Sequence, residues 1–175
     1  MAKAKNVGKI FEEDFSKSTP ENWFCHRLKD TAQSYNNSEK TKFSWDNPFD
    51  YFLFNGKTLY CLELKSTCQK YMGFQENEDD ESSKMIKWHQ IKSLTEASEY
   101  QNIVAGFVLN FRLNDDEQLT YFLDIRDFNK MKDSINKKSF TIMDAILYGA
   151  KKIYGFKKRT RWHWNLEDFF ESYNN

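Results

Sequence analysis

The sequence predicts an α/β fold in which a mixed β-sheet is flanked by helices. Three observations predict it. An amphipathic helical stretch near the start is followed by three short strand-like runs, the last two joined at Asn55-Gly56. A second amphipathic helical stretch follows, and it leads into Ile103 to Leu113, a continuous apolar run of strand length. Helical and strand periods that alternate in this way suit a sheet with helices on its faces. The chain has 175 residues, which fits one domain over 1–175, with a core over about 6–113 and a C-terminal extension over about 114–175. With 39% hydrophobic and 17% aromatic residues it can fill a core, and 2 Pro and 6 Gly exclude a collagen-like or linker-type chain.

Each element follows from local pattern. Asn6 can cap a first helix whose apolar face is Val7, Ile10, Phe11 and Phe15, with Glu12, Glu13 and Asp14 alongside. Trp23 to Leu28 reads as the first strand, and the polar stretch Asp30 to Asn47 as an excursion from the core. Phe49 to Phe54 and Thr58 to Leu64 read as a hairpin, because Asn-Gly readily supplies the positive φ of a tight turn. Gln69 to Lys84 reads as an acidic, solvated loop. Lys87 to Glu99 is expected to be a helix with Trp88, Ile91 and Leu94 inward. The apolar run Ile103 to Leu113 suggests a strand buried on both sides, and Leu119 to Asp124 a further strand. Helical stretches are expected over Arg126 to Lys132, Thr141 to Lys152 and Leu166 to Tyr173. No internal repeat and no second domain boundary is visible.

Charge excludes some functions and points to others. Lys plus Arg and Asp plus Glu are 26 each, so the chain is not the strongly basic type that coats nucleic acid without selectivity. The charges are nevertheless segregated. Lys151, Lys152, Lys157, Lys158, Arg159 and Arg161 follow one another without an acid, and Glu76 to Glu81 carries acids without a base. A basic face can therefore sit within a neutral total. Cys25, Cys61 and Cys68 are odd in number and lack Cys-x-x-Cys spacing, which argues against a disulfide framework or zinc knuckle; Cys25 and Cys61 read as buried thiols. The mean hydropathy of −0.82 argues against a membrane-embedded chain. No apolar run reaches the roughly 20 residues of a bilayer span. Met1 to Asn6 has no apolar stretch of the secretory kind, so the expected location is the cytoplasm, bacterial or phage-infected.

One constellation can carry chemistry. Asp50 lies near the start of the second strand, and Glu63 and Lys65 near the end of the third, in Cys61-Leu62-Glu63-Leu64-Lys65. Strand side chains alternate, so Glu63 and Lys65 share one face and Leu62 and Leu64 the other. Counting outward from Asn55-Gly56, antiparallel pairing brings Asp50 close to Glu63. Two carboxylates about 4 Å apart repel by up to roughly 4 kcal/mol at an effective dielectric near 20, a cost that a proton, a cation or a hard divalent ion relieves. Mg²⁺ suits such a patch, since it takes oxygen ligands, keeps waters and accepts phosphate oxygens. Lys65 can then steady a phosphate or the attacking hydroxide. The alternative is a cross-strand surface salt bridge.

These residues resemble the PD-(D/E)XK nuclease superfamily, whose restriction-endonuclease-like core runs αβββαβ. Within it they are most similar to RecU-type Holliday junction resolvases, especially short phage-like members, from about Asn6 to Leu113. The stretch Asn6-Val7-Gly8-Lys9-Ile10-Phe11-Glu12 resembles the opening helix. Asp50 with Phe54-Asn55-Gly56-Lys57 resembles the aspartate and its hairpin. Leu62-Glu63-Leu64-Lys65-Ser66 resembles the Phe-Glu-Ala-Lys-Thr stretch, and His89-Gln90-Ile91 a His-Gln on the second core helix. The resemblance implies a homodimeric endodeoxyribonuclease dependent on Mg²⁺, with Mn²⁺ as a substitute, that cuts four-way DNA junctions to a 5′-phosphate and a 3′-hydroxyl. It implies Asp50, Glu63 and the backbone carbonyl of Leu64 as metal ligands, and Lys65 as the group that orients or activates water. Glu12 would support the site from the first helix and Gln90 from the second. Two departures stand out. Val7 occupies a position where relatives carry an arginine, and residues 30–47 are short against the family's junction-inserting stalk. Nuclease action on linear duplex, or DNA binding with an idle site, are the alternatives.

Basic residues supply the expected nucleic-acid contacts. Arg27, Lys29, Lys40 and Lys42, with Tyr35 and Trp45 nearby, can meet phosphates and stack on bases, or form a solvated loop. Lys157, Lys158, Arg159 and Arg161, among Tyr154, Phe156, Trp162 and Trp164, form either a nucleic-acid surface or an amphipathic edge strand.

Overall fold

The computed structural model describes residues 7–28, 47–114 and 117–173. The expected helix cap Asn6, the basic residues Lys29, Lys40 and Lys42, and Tyr35 and Trp45 lie outside the described residues. The chain opens with helix α1 (Val7–Lys17), followed by strands β1 (Phe24–Arg27), β2 (Tyr51–Phe54), β3 (Leu59–Thr67) and β4 (Tyr71–Gly73). Helix α2 (Trp88–Ala97) leads to β5 (Ile103–Asn114), β6 (Glu117–Asp124) and α3 (Ile125–Ser134). Then come β7 (Ser139–Thr141), α4 (Ile142–Leu147), β8 (Lys151–Ile153), β9 (Gly155–Lys158), β10 (Arg161–Trp164) and α5 (Leu166–Tyr173).

The central sheet has six strands in the order β1-β2-β3-β5-β6-β8. Strands β1, β2 and β3 are antiparallel neighbours, β3 and β5 are parallel, and β6 and β8 continue antiparallel. The sheet is therefore mixed, and the expected order αβββαβ is present with the short β4 inserted before α2. Gly56, at φ +92, supplies the left-handed turn residue that joins β2 to β3.

Strand parity divides the core into two layers. Cys61 of β3 packs with Ile91 and Leu94 of α2, Phe107 and Leu109 of β5, and Phe128 and Met131 of α3. Tyr60, Leu62 and Leu64 face the other way, towards Phe11 and Phe15 of α1, Trp164 of β10 and Phe170 of α5. Odd-numbered side chains of β3 thus point to the α2 layer and even-numbered ones to the α1 layer. Residues Ala105 to Phe111 of β5 are buried without a break, as a strand covered on both faces requires. Trp164 meets Phe11 edge to face at 5.2 Å, and each such buried ring contributes roughly 2–3 kcal/mol of apolar burial.

Three expectations need correction. The stretch Thr141 to Lys152 is not one helix: α4 ends at Leu147, Gly149 turns the chain at φ +102, and β8 starts at Lys151. The acidic stretch Gln69 to Lys84 is not simply solvated. It contains β4, which pairs with β7, and Lys138 binds Glu76 at 2.8 Å and Asp80 at 3.6 Å. Asp80 also accepts hydrogen bonds from the Glu76 and Ser82 amides, and those from Ser82 lead in pulling its pKa down to about 2. Cys25 is only half-buried, whereas Cys61 is buried as expected; all three cysteines are free thiols. The Arg161-Trp162-His163-Trp164 alternation does form a strand, one of its two expected readings, and pairs with β9 in a hairpin separate from the central sheet. Gly155 is required there because a Cβ at that position would lie 2.7 Å from the Trp164 ring.

Candidate active site

Pairing of Tyr51 with Leu62 carries Asp50 to the position opposite Glu63. The Asp50 amide donates to the Leu62 carbonyl at 3.1 Å, and its own carbonyl accepts from the Leu28 amide at 2.8 Å, so its backbone is held between strands on both sides. Its Oδ2 accepts the Leu64 amide at 2.8 Å. That bond fixes the carboxylate at the edge of β3, where β2 has begun to diverge.

Glu63 is only 2% exposed, an uncommon place for a carboxylate. Its Oε1 pairs with Lys65 Nζ at 2.7 Å and accepts from Gln90 Nε2 at 2.5 Å. Gln90 can hold that orientation because its Oε1 accepts the Lys87 amide at 3.0 Å, which leaves the amide nitrogen to face Glu63. Glu63 Oε2 is buried and has no hydrogen-bond partner among the described residues. Burial, foremost, pushes the Glu63 carboxyl up to about 8; Lys65 opposes this, and the charge and close approach of Asp50 add to it. Two facing carboxyl groups, one with an orphaned oxygen, favour a proton or a cation between them.

The donor chemistry fits a hard divalent ion. Asp50 and Glu63 offer carboxylate oxygens, and N–H and C=O of one strand residue point the same way, so the Leu64 carbonyl faces the same edge as its Asp50-bound amide. Among the described residues no group of three or more His, Cys, Asp and Glu side chains comes together. A two-carboxylate set is the Mg²⁺ pattern, in which water and substrate complete the shell.

The structure brings Asp50, Glu63, Leu64, Lys65 and Gln90 together, and it engages Glu12 elsewhere. Glu12 lies on α1, in the opposite layer, and pairs with Arg27 at 2.6 Å. The Tyr51 hydroxyl donates to the Glu12 carbonyl at 3.2 Å, and burial followed by the charge of Glu12 raises its pKa. Arg27 is thus a partner of Glu12 on the edge strand. Arg161 is matched by two carboxylates, Glu13 at 2.8 Å and the buried Asp14 in a shorter contact, while the Trp162 amide also reaches Asp14 at 3.1 Å. These bonds fasten the β9–β10 hairpin to α1. Lys157, Lys158 and Arg159 are exposed on that hairpin, with Arg159 at φ +59 in its turn. His89 is exposed on α2. The Asp14–Arg161 tie was not read from the sequence, and a separation of 147 positions along the chain explains why.

No family model matches the chain. It is 37% identical over 136 residues to the SPbeta prophage-derived uncharacterized protein YotM of Bacillus subtilis, a match that covers 77% of this chain and 64% of that protein. The chain therefore spans a little under two thirds of the length of that curated relative. Among solved structures, Hjc of Archaeoglobus fulgidus, a Holliday junction resolvase from an archaeal hyperthermophile, aligns with a TM-score of 0.40 and 13% identity over 72% of this chain and 80% of that one. Among the described residues no helix is long and apolar enough to cross a membrane.

Proposed function

We propose that the chain is a metal-dependent endodeoxyribonuclease that cuts four-way DNA junctions. The observation that carries this reading is the Asp50–Glu63 carboxylate pair with Lys65 on one oxygen and an orphaned oxygen on the other side. Asp50, Glu63 and the Leu64 carbonyl would hold Mg²⁺, or Mn²⁺ in its place. Bound there, the ion polarises a phosphodiester and makes its water more acidic.

The chain's own groups do the rest. Gln90 and Lys65 fix the Glu63 carboxylate from two directions, so it enters the reaction in one orientation. The Leu64 amide does the same for Asp50. Lys65, half-buried beside Glu63, keeps ammonium hydrogens for a phosphate oxygen or for the attacking water and stabilises charge that develops on the phosphoryl group. Lys157, Lys158 and Arg159 on the hairpin supply phosphate contacts, whereas Arg161 positions them through α1. A homodimer suits a junction with approximate two-fold symmetry, and a prophage-derived relative suits a role in phage DNA processing.

The test uses a labelled four-way junction and a matching linear duplex, with Mg²⁺ or EDTA, for the wild type and Asp50→Asn. The expected result is paired nicks in the junction alone, lost in EDTA and in the variant. Equal cutting of both substrates would make the protein a duplex nuclease, and binding without cutting would make the site idle.

A further inference from the structure

A second polar construction runs through the sheet on the α1 side. The Trp164 indole N–H donates to Thr120 Oγ1 at 2.9 Å, and Asn110 Nδ2 donates to the same oxygen at 2.9 Å and to Gln118 Oε1 at 3.1 Å. Asn110 Oδ1 accepts the Ser66 hydroxyl at 2.8 Å, and Ser66 Oγ accepts Arg112 Nε at 2.9 Å. Every role in this chain is fixed. Indole and guanidinium only donate, so the Asn110 amide and the Ser66 hydroxyl have one orientation each. Asn110 and Thr120 are fully buried, and polar groups at such depth are tolerated because each is satisfied.

The outer end of the chain is Arg112. Ser66 is the strand partner of Asn110 and the residue after Lys65, so Arg112, two residues beyond Asn110, lies at the same end of the sheet as Lys65 but on its α1 face, whereas Lys65 and Glu63 are on the α2 face. The β5–β6 register breaks between Arg112 and Asn114, and a bulge of that kind re-aims a side chain. Among the described residues Arg112 pairs with no carboxylate, and it is Nε that Ser66 holds.

From this arrangement we infer that Arg112 is a substrate-binding residue whose guanidinium grips a DNA backbone phosphate at the end of the sheet where β3 carries Lys65, on the face opposite the Asp50–Glu63 pair, and that Ser66 and Asn110 position it. The inference rests on the nuclease reading. The two terminal nitrogens form a fork that matches two phosphate oxygens, which an ammonium cannot do. The relay also explains why Asn110 and Thr120 interrupt an otherwise apolar interior.

The test is DNA binding by fluorescence anisotropy between 50 and 200 mM salt, in EDTA and again in Ca²⁺, over roughly the range where phosphate contacts are read out. Arg112→Gln should weaken binding about tenfold and lower the salt slope by about one, while Lys92→Gln, on the exposed side of α2, changes neither. Arg112→Lys keeps the charge and should fall between them, which serves should Arg112→Gln fold poorly. Ser66→Ala should weaken binding severalfold without changing the slope, and Ser66→Thr should restore it. If Arg112→Gln behaves like Lys92→Gln while the wild type binds and cuts, the Arg112 inference is overturned and the nuclease reading stands. If the wild type binds no DNA in either buffer, both fall.

Discussion

Gln90 donates to Glu63 from the first turn of α2, and its carbonyl oxygen accepts the Lys87 amide at the start of the same helix. One side chain thus caps the start of a helix and orients a buried carboxylate. Gln90→Ala is expected to cost about 1–2 kcal/mol in chemical denaturation, for the lost cap and the unsatisfied carboxylate. Turnover should fall at unchanged DNA affinity, because Gln90 acts through Glu63. Gln90→Glu should be worse on both counts, since it sets a third acid against the pair.

Asp50→Asn removes the charge that faces Glu63. Without metal the variant should be as stable as the wild type or more so. With Mg²⁺ at roughly a hundredfold excess over Kd the wild type should gain about 2.7 kcal/mol. The variant should gain little. Thermal melts with and without the ion decide this without any cleavage assay.

Glu63 makes the metal-free protein sensitive to pH. Its carboxyl sits near 8 in the fold against 4.5 ordinarily, so the folded state binds more protons than the unfolded one between those values. Stability from this group is fully present below about 4.5 and is lost as pH rises towards 8. In EDTA, Tm should therefore fall across that window and level off above it, and Glu63→Gln should flatten the curve. A wild-type Tm that rises from pH 5 to 8 would contradict the assignment.

Asp14 is 3% exposed and depends on Arg161 and the Trp162 amide. Arg161→Ala leaves that carboxylate half-satisfied, and because the guanidinium is itself partly exposed the expected loss is about 2 kcal/mol. Limited proteolysis should then cut within the β9–β10 hairpin before anywhere else. Asp14→Ala together with Arg161→Ala should cost less than the sum of the two, which a double-mutant cycle measures.

The sequence made the hairpin, the long apolar strand and the carboxylate pair legible because each depends on short-range rules. Asn55-Gly56 sets the β2–β3 register, and period-two alternation then puts Glu63 and Lys65 on one face. Gln90 entered by resemblance, since spacing alone does not say what a helix faces. Strands β4 and β7 were missed because each has three residues and finds its partner far along the chain. The helix expected over Thr141 to Lys152 ran through Gly149, whose positive φ turns the chain after α4. Asn110 and Arg112, two apart in the stretch read as a continuous apolar run, have their partners on other strands, which pattern along one strand does not reveal.

The clasp between Asp14 and Arg161 also orders events in time. During synthesis α1 emerges well before Trp164, Leu166 and Phe170, which cover its side of the sheet. Until then one layer of aromatic side chains stands bare to water. A nascent chain can form the carboxylate pair well before it can bring the basic hairpin beside it, so full assembly waits for translation to pass residue 170.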